Sequence, residues 1–113
     1  MTKAAEAALD RTFAALSDQH RRTILARLAK GPATVNEIAE PFDISLQAVS
    51  RHLKVLEAAG LITRTREAQW RPCALAPEPL RFADGWIANY RRFWDETFDR
   101  MEDYMSGLER DDG

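Results

Sequence analysis

Apolar residues in the first half of the chain recur with a helical period. Leu9, Phe13 and Leu16 stand at i, i+4 and i+7 and predict a short helix over 5–16. Ser17 is placed to cap a second helix, with Asp18 favourably near its N-terminal dipole. That helix turns Ile24, Leu25 and Leu28 inward and stops at Gly31-Pro32. Thr34-Val-Asn-Glu37 has the form of a capping box and starts a third helix, with Val35, Ile38, Ala39 and Phe42 on its buried face. Pro41, followed by Asp43-Ile44, forces a tight exit. Ser45 caps a fourth helix running to about Ala59, with Leu46, Val49, Leu53 and Leu56 facing the core and Gly60 at its C′ position.

After Gly60 the period changes to two. Leu61 to Arg66 alternates like a strand, and Trp70 to Leu75 returns beside it as a hairpin. Pro72 would confine that second strand to a sheet edge. Pro77 and Pro79 precede a long last helix, about Leu80 to Met105. Gly85 inside it costs roughly 1 kcal/mol relative to Ala and marks a potential break. With no repeat, low-complexity tract or linker, the pattern gives a single domain over 1–113, mainly α with a small β-hairpin.

Two short helices joined by a tight turn and followed by a two-stranded ribbon are the order of a winged helix-turn-helix. In that geometry the second helix enters the DNA major groove with its N-terminal residues at base edges. Here the recognition helix is about 45–59 and the wing about 61–75. Positions 46, 49, 53 and 56 face inward, which leaves Gln47, Ala48, Ser50, Arg51 and Lys54 outward. Gln pairs bidentately with adenine, Arg with guanine, and Ala touches a thymine methyl. Ser45 and Lys54 suit phosphate contacts, which set the register without specifying sequence. His52 reads either as a phosphate ligand or as a residue packed on the second helix. Arg64, Arg66 and Arg71 lie along or beside the ribbon, within reach of phosphates or an adjacent minor groove. Surface arginines on a solvated hairpin are the plainer alternative. The tip, Glu67-Ala-Gln69, lacks the glycine of a tight hairpin turn, which implies a looser wing.

Net charge is −2, but its distribution changes the picture. Residues 45–71 carry five Lys and Arg against two acids, whereas 95–113 carry two against eight. One end of the chain therefore suits phosphate and the other avoids it, although a merely solvated acidic tail explains the latter as well. Composition is that of a soluble globular protein, with 45% apolar and 30% charged residues. No apolar run reaches the length of a membrane span, and the N-terminus shows no signal-peptide pattern. A single cysteine, Cys73, forms no internal disulfide and fits a cytoplasmic location. It reads as a small buried strand residue or, near Arg71, as a redox trigger.

Three blocks carry a specific resemblance: Phe13-Ala-Ala-Leu-Ser-Asp, Arg21-Arg-Thr-Ile-Leu, and Ser50-Arg-His-Leu-Lys-Val-Leu-Glu-Ala-Ala-Gly-Leu-Ile. In content and spacing, residues 9–75 resemble the ArsR/SmtB family of bacterial repressors. The resemblance implies a symmetric homodimer on an inverted-repeat operator in double-stranded DNA, repressing its own or a neighbouring promoter and nucleoid-associated when bound. It carries the recognition role onto Ser45, Gln47, Ala48, Ser50, Arg51, His52 and Lys54. The last part, Pro79-Leu80 through Trp86, Tyr90-Arg-Arg-Phe-Trp94 and Met101, resembles a branch without metal sites. Where metal-sensing members carry Cys-x-Cys, this chain has Thr34-Val-Asn-Glu-Ile-Ala, and neither His20 nor His52 lies in the last helix. A structural zinc site takes about four N, S or O donors, so no metal site and no cofactor are expected.

The last helix carries an apolar stripe at Trp86, Tyr90, Phe93, Trp94, Phe98, Met101 and Met105, too large for a core of this size to cover. A subunit interface made by the first and last helices is the preferred reading, with Leu9 and Phe13 adding to it. The same surface would admit an apolar effector or a partner protein, and the sequence names neither. Two other classes compete: a winged-helix protein-binding module, and a small enzyme or carrier. The outward amide and basic residues weigh against the first. The absence of a phosphate loop or catalytic constellation weighs against the second. Ser17, Asp18 and His20 lie together at a helix start, where capping explains Ser17 and Asp18 better than a catalytic trio does.

Overall fold

The computed structural model describes residues 1–65 and 70–111, the side chains of Glu109, Arg110 and Asp111 excepted. It divides into two compact units, Met1–Phe82 and Ala83–Gly113.

In the first unit, helix α1 (Lys3–Leu16) begins at Thr2, whose Oγ1 accepts the Ala5 N–H at 3.1 Å. Helix α2 (Gln19–Leu28) is capped by Asp18 rather than Ser17. The Asp18 Oδ1 accepts the N–H groups of His20 (2.8 Å) and Arg21 (3.2 Å). Ser17 instead closes α1, donating its hydroxyl to the Ala14 carbonyl at 2.6 Å. A carboxylate satisfies two orphan N–H groups and complements the dipole, so it prevails over the neighbouring hydroxyl. Arg21 Nε donates to the Ala15 carbonyl at 2.7 Å, and Arg22 Nη1 to that of Leu16 at 2.7 Å. These two cations thus answer the C-terminal carbonyls of α1.

Helix α3 (Val35–Ala39) is short and held by its first turn. Thr34 and Glu37 form the expected capping box: Glu37 N–H donates to Thr34 Oγ1 at 3.2 Å, and Thr34 N–H to Glu37 Oε1 at 3.1 Å. The hydrogen bonds from Thr34, backbone first, hold the Glu37 carboxyl below its ordinary value, against slight burial and with help from Arg27. A carboxylate depressed in the folded state contributes stability that is complete above its unfolded value, near 4.5, and is lost as pH falls through the lower folded value. Glu37→Ala is therefore expected to be less stable than the parent at pH 7 and closer to it near pH 3. Urea unfolding at the two pH values checks this.

Helix α4 (Leu46–Ala58) starts at Ser45, whose Oγ accepts the Ala48 N–H at 3.1 Å. It ends in a Schellman motif, in which Leu61 N–H bonds the Leu56 carbonyl and Gly60 N–H that of Glu57. Gly60 adopts φ 77°, where a side chain is strained. Gly60→Ala is expected to lower unfolding free energy by about 1 kcal/mol, measurable as a lower urea midpoint at unchanged slope.

Strands β1 (Ile62–Arg64) and β2 (Cys73–Leu75) pair antiparallel, with Ile62 opposite Leu75 and Arg64 opposite Cys73. As expected from Pro72, β2 is an edge of the two-stranded sheet. Cys73 also exchanges both backbone hydrogen bonds with Ala33, at 2.8 and 3.0 Å, so β2 is flanked on both sides there. Pro72 lies just before the strand, where only its carbonyl is needed, and that carbonyl accepts from Thr65 N–H.

The core gathers Ile24, Leu25 and Leu28 of α2, Ile38 of α3, Val49, Leu53 and Leu56 of α4, and the ribbon residues Leu61, Ile62 and Cys73. Leu46 departs from expectation at 51% exposed. It is the first residue of α4, with no preceding turn to cover it.

Helix α5 (Glu78–Asp111) runs unbroken through Gly85. Its 34 residues span roughly 50 Å at ~1.5 Å per residue. No helix among the described residues is long and apolar enough to cross a membrane.

Candidate nucleic-acid interface

Helix α4 is anchored along one face by Val49, Leu53 and Leu56, all fully buried. Its opposite face exposes Gln47, Arg51 and Lys54, with Ala48 and Ser50 half-buried between them. A shallow groove on this face is lined by Leu46, Gln47, Ser50, Arg51 and Lys54. The residues expected to read base edges therefore lie together on a surface free of intramolecular hydrogen bonds other than the Ser45 cap among those described. Arg51 and Lys54 bring two cations to it, and no acidic side chain lines it. Leu46 adds an apolar contact that the periodicity had assigned to the core.

His52 stands apart from this face. Its side chain is only 18% exposed, with Nδ1 3.8 Å from Asp18 Oδ1 and 3.5 Å from Arg21 Nη1. Its ring stacks on His20 at 5.4 Å between centroids. Of the two readings open to sequence, the structure selects packing on α2. His20 Nδ1 lies 3.8 Å from the same Asp18 oxygen, so three titratable groups meet where α2 begins and α4 crosses it. Burial raises the Asp18 carboxyl, but the Arg21 and His20 N–H groups and the nearby His52 and Arg21 outweigh it, and the net shift is downward. Sequence reading missed this meeting, since His20 and His52 are 32 positions apart. The available signal was the helix-turn-helix order itself, which lays α2 against α4.

The wing gives a mixed result. Arg71 is exposed and holds a left-handed backbone at φ 43°. Arg64 turns inward instead, with Nε and Nη2 buried and its side chain hydrogen-bonded to the Cys73 thiol. Its partial burial follows from its pairing with buried Cys73, and corrects the expectation that it is free for phosphate. Arg66 and the tip residues Glu67 to Gln69 lie outside the described residues. Cys73 is fully buried, and burial pushes its thiol up despite Arg64. A protonated, enclosed thiol is a poor redox trigger.

The second unit displays the apolar stripe. Tyr90, Phe93, Trp94, Phe98 and Met101 are each between 44% and 57% exposed, and Trp86 is half-buried. Trp86 stacks near Tyr90 (4.5 Å) and Trp94 on Phe98 (5.8 Å), so i,i+4 pairs make a continuous aromatic ridge. Tyr104 and Leu108 extend it beyond the stripe read from sequence. In the first unit Phe13 is 38% exposed, whereas Leu9 is buried within its own chain at 8% and has little surface left for a partner.

Comparison with known proteins bears on this arrangement. A family model described as a helix-turn-helix domain matches residues 16–65. The transcriptional repressor SdpR of Bacillus subtilis is 35% identical over 82 residues, covering 73% of this chain and 91% of that protein. The crystal structure of an ArsR family transcriptional regulator superimposes with a TM-score of 0.71 at 39% identity, over 78% of this chain and 97% of the other. The homodimeric winged helix-turn-helix DNA-binding domain of a possible ArsR-family regulator from Mycobacterium bovis gives a TM-score of 0.63 at 26% identity, over 82% and 91%.

Proposed function

This chain belongs to the ArsR/SmtB family of winged helix-turn-helix transcriptional regulators, and from that premise we propose that it is a homodimeric repressor of its own or a neighbouring promoter. The observation carrying this reading is the face of α4, where Gln47, Ser50, Arg51 and Lys54 share one groove while Val49, Leu53 and Leu56 fix the helix from behind. Gln47 and Arg51 read base edges in the major groove, with Ala48 and Leu46 offering apolar contact to thymine methyls. Ser45 and Lys54 take phosphates, and Arg71 adds a phosphate contact from the wing.

A second copy of the chain covers the aromatic ridge of α5, with Phe13 of α1 contributing. An exposed apolar surface of this extent marks an interface. Twofold symmetry then sets two α4 helices about one DNA turn apart, roughly 34 Å, on an inverted repeat. Repression follows from occupancy of DNA that polymerase needs. The chain has neither the thiolate pair nor the last-helix histidine with which metal-sensing members respond, so its DNA affinity does not answer to metal through those sites.

Footprinting on the DNA upstream of its own and adjacent genes tests the proposal. Protection of an inverted repeat with half-sites about 10 base pairs apart, centre to centre, is the expected result. Protection of a single half-site, or of none by a folded protein across the genome, would overturn it.

A further inference from the structure

We propose that Asp18, His20 and His52 form a site for one divalent transition-metal ion of the zinc type, held between the start of α2 and the middle of α4. The Nδ1 atoms of both histidines approach a single oxygen, Asp18 Oδ1, each at 3.8 Å. The three donor atoms lie within 4.8 Å of one another. Bonds of ~2.0–2.1 Å to a tetrahedral ion set its donors about 3.3 Å apart, so each histidine–aspartate separation must shorten by about half an ångström and the histidine–histidine separation, within 4.8 Å, by up to about 1.5 Å. Two imidazoles and a carboxylate are a donor set suited to zinc, nickel or cobalt, and they leave a fourth position to water.

The surroundings hold this set in place. All three side chains are partly buried, and the edge of Phe42 packs against the His20 ring at 5.6 Å. The two imidazoles stack with 27° between their planes, so a ring rotation must bring their in-plane Nδ1 lone pairs onto one ion. Arg21 both opposes and prepares the site. Its guanidinium, fixed to the Ala14 and Ala15 carbonyls, places a cation 3.5 Å from His52 Nδ1 and so weakens binding. Held by those carbonyls, the same side chain also fixes one wall of the cluster. The ion would tie α2 to the helix that carries Gln47 and Arg51, independently of the thiolate and last-helix sites of metal-sensing relatives. It would also raise stability in proportion to the logarithm of metal concentration above Kd.

Cobalt(II) titrated into the metal-free full chain, followed by visible absorbance with zinc(II) competition, tests this directly. One ion per chain is expected, with ligand-field bands and no thiolate charge-transfer band, and Cys73→Ser is expected to bind as the parent does. His20→Ala and Asp18→Asn should each weaken binding by at least about tenfold, the scale seen even for groups that only support metal ligands. Asparagine caps helices as well as aspartate does, so Asp18→Asn removes a ligand while the fold, checked by circular dichroism, persists. Cobalt should also broaden the ring-proton signals of His20 and His52. The absence of saturable binding to the parent, or unchanged binding in both folded variants, would overturn the site. Neither readout depends on DNA binding.

Discussion

Trp94→Asp is expected to leave the chain monomeric at micromolar concentration and to lower its operator affinity by about 10²–10⁴-fold, the avidity that joining two half-site contacts supplies. Trp94 sits mid-ridge, 46% exposed in the single chain and stacked on Phe98. Such a ring on an exposed helix face adds little to its own subunit and much to a partner that encloses it. A carboxylate there would have to be buried without a cation or remain hydrated, and either outcome opens the interface. Because Trp94 lies in the second unit and is not part of the buried cluster of the first, helix content by circular dichroism should stay near that of the parent. Sedimentation velocity and fluorescence anisotropy on the same samples check both halves. A monomeric Trp94→Asp that still bound its operator tightly would sever dimerisation from recognition.

The second large effect belongs to Arg51. Arg51→Ala is expected to cost about 1–3 kcal/mol per half-site and to relax selectivity at one base pair in each, because a bidentate contact to guanine carries both affinity and sequence information. Arg51 is exposed on α4 and supports no described intramolecular bond, so its loss should leave the melting temperature unchanged. Lys54→Ala provides the contrast. It should weaken all sequences about equally and reduce the salt slope by about one, as a phosphate contact does. A comparison of the two variants on the operator and on singly substituted operators distinguishes base reading from simple charge.

Much of this architecture was legible in the residues because local rules and burial agree there. Thr34 and Glu37 form their capping box, Ser45 caps α4, and Gly60 takes the left-handed C′ position that only its missing side chain makes easy. The period-3.6 stripe of Val49, Leu53 and Leu56 orients α4 and thereby exposes Gln47, Arg51 and Lys54. The departures arise where a second element intervenes. Leu46 has the right phase but stands at a helix end. Arg64 is drawn inward by its pairing with buried Cys73, and Ala33 adds an isolated bridge on the other side of Cys73. Asp18 displaces Ser17 as the cap through charge and its capacity to accept two N–H groups. The meeting of His20 and His52 on Asp18 is tertiary in origin, and no window along the chain contains it.

On the proposed function, the outward face of α4, presented twice by a dimer, reads a particular DNA sequence. The most direct test is a titration of the purified chain on its own upstream DNA and on an unrelated duplex of equal length, at two salt concentrations. Saturable binding of two chains per operator is expected, with a steep fall with salt and an operator affinity about 10³-fold or more above that for the unrelated duplex. Equal and weak binding to both duplexes, with genome-derived fragments faring no better, would contradict it and leave the fold serving a protein partner.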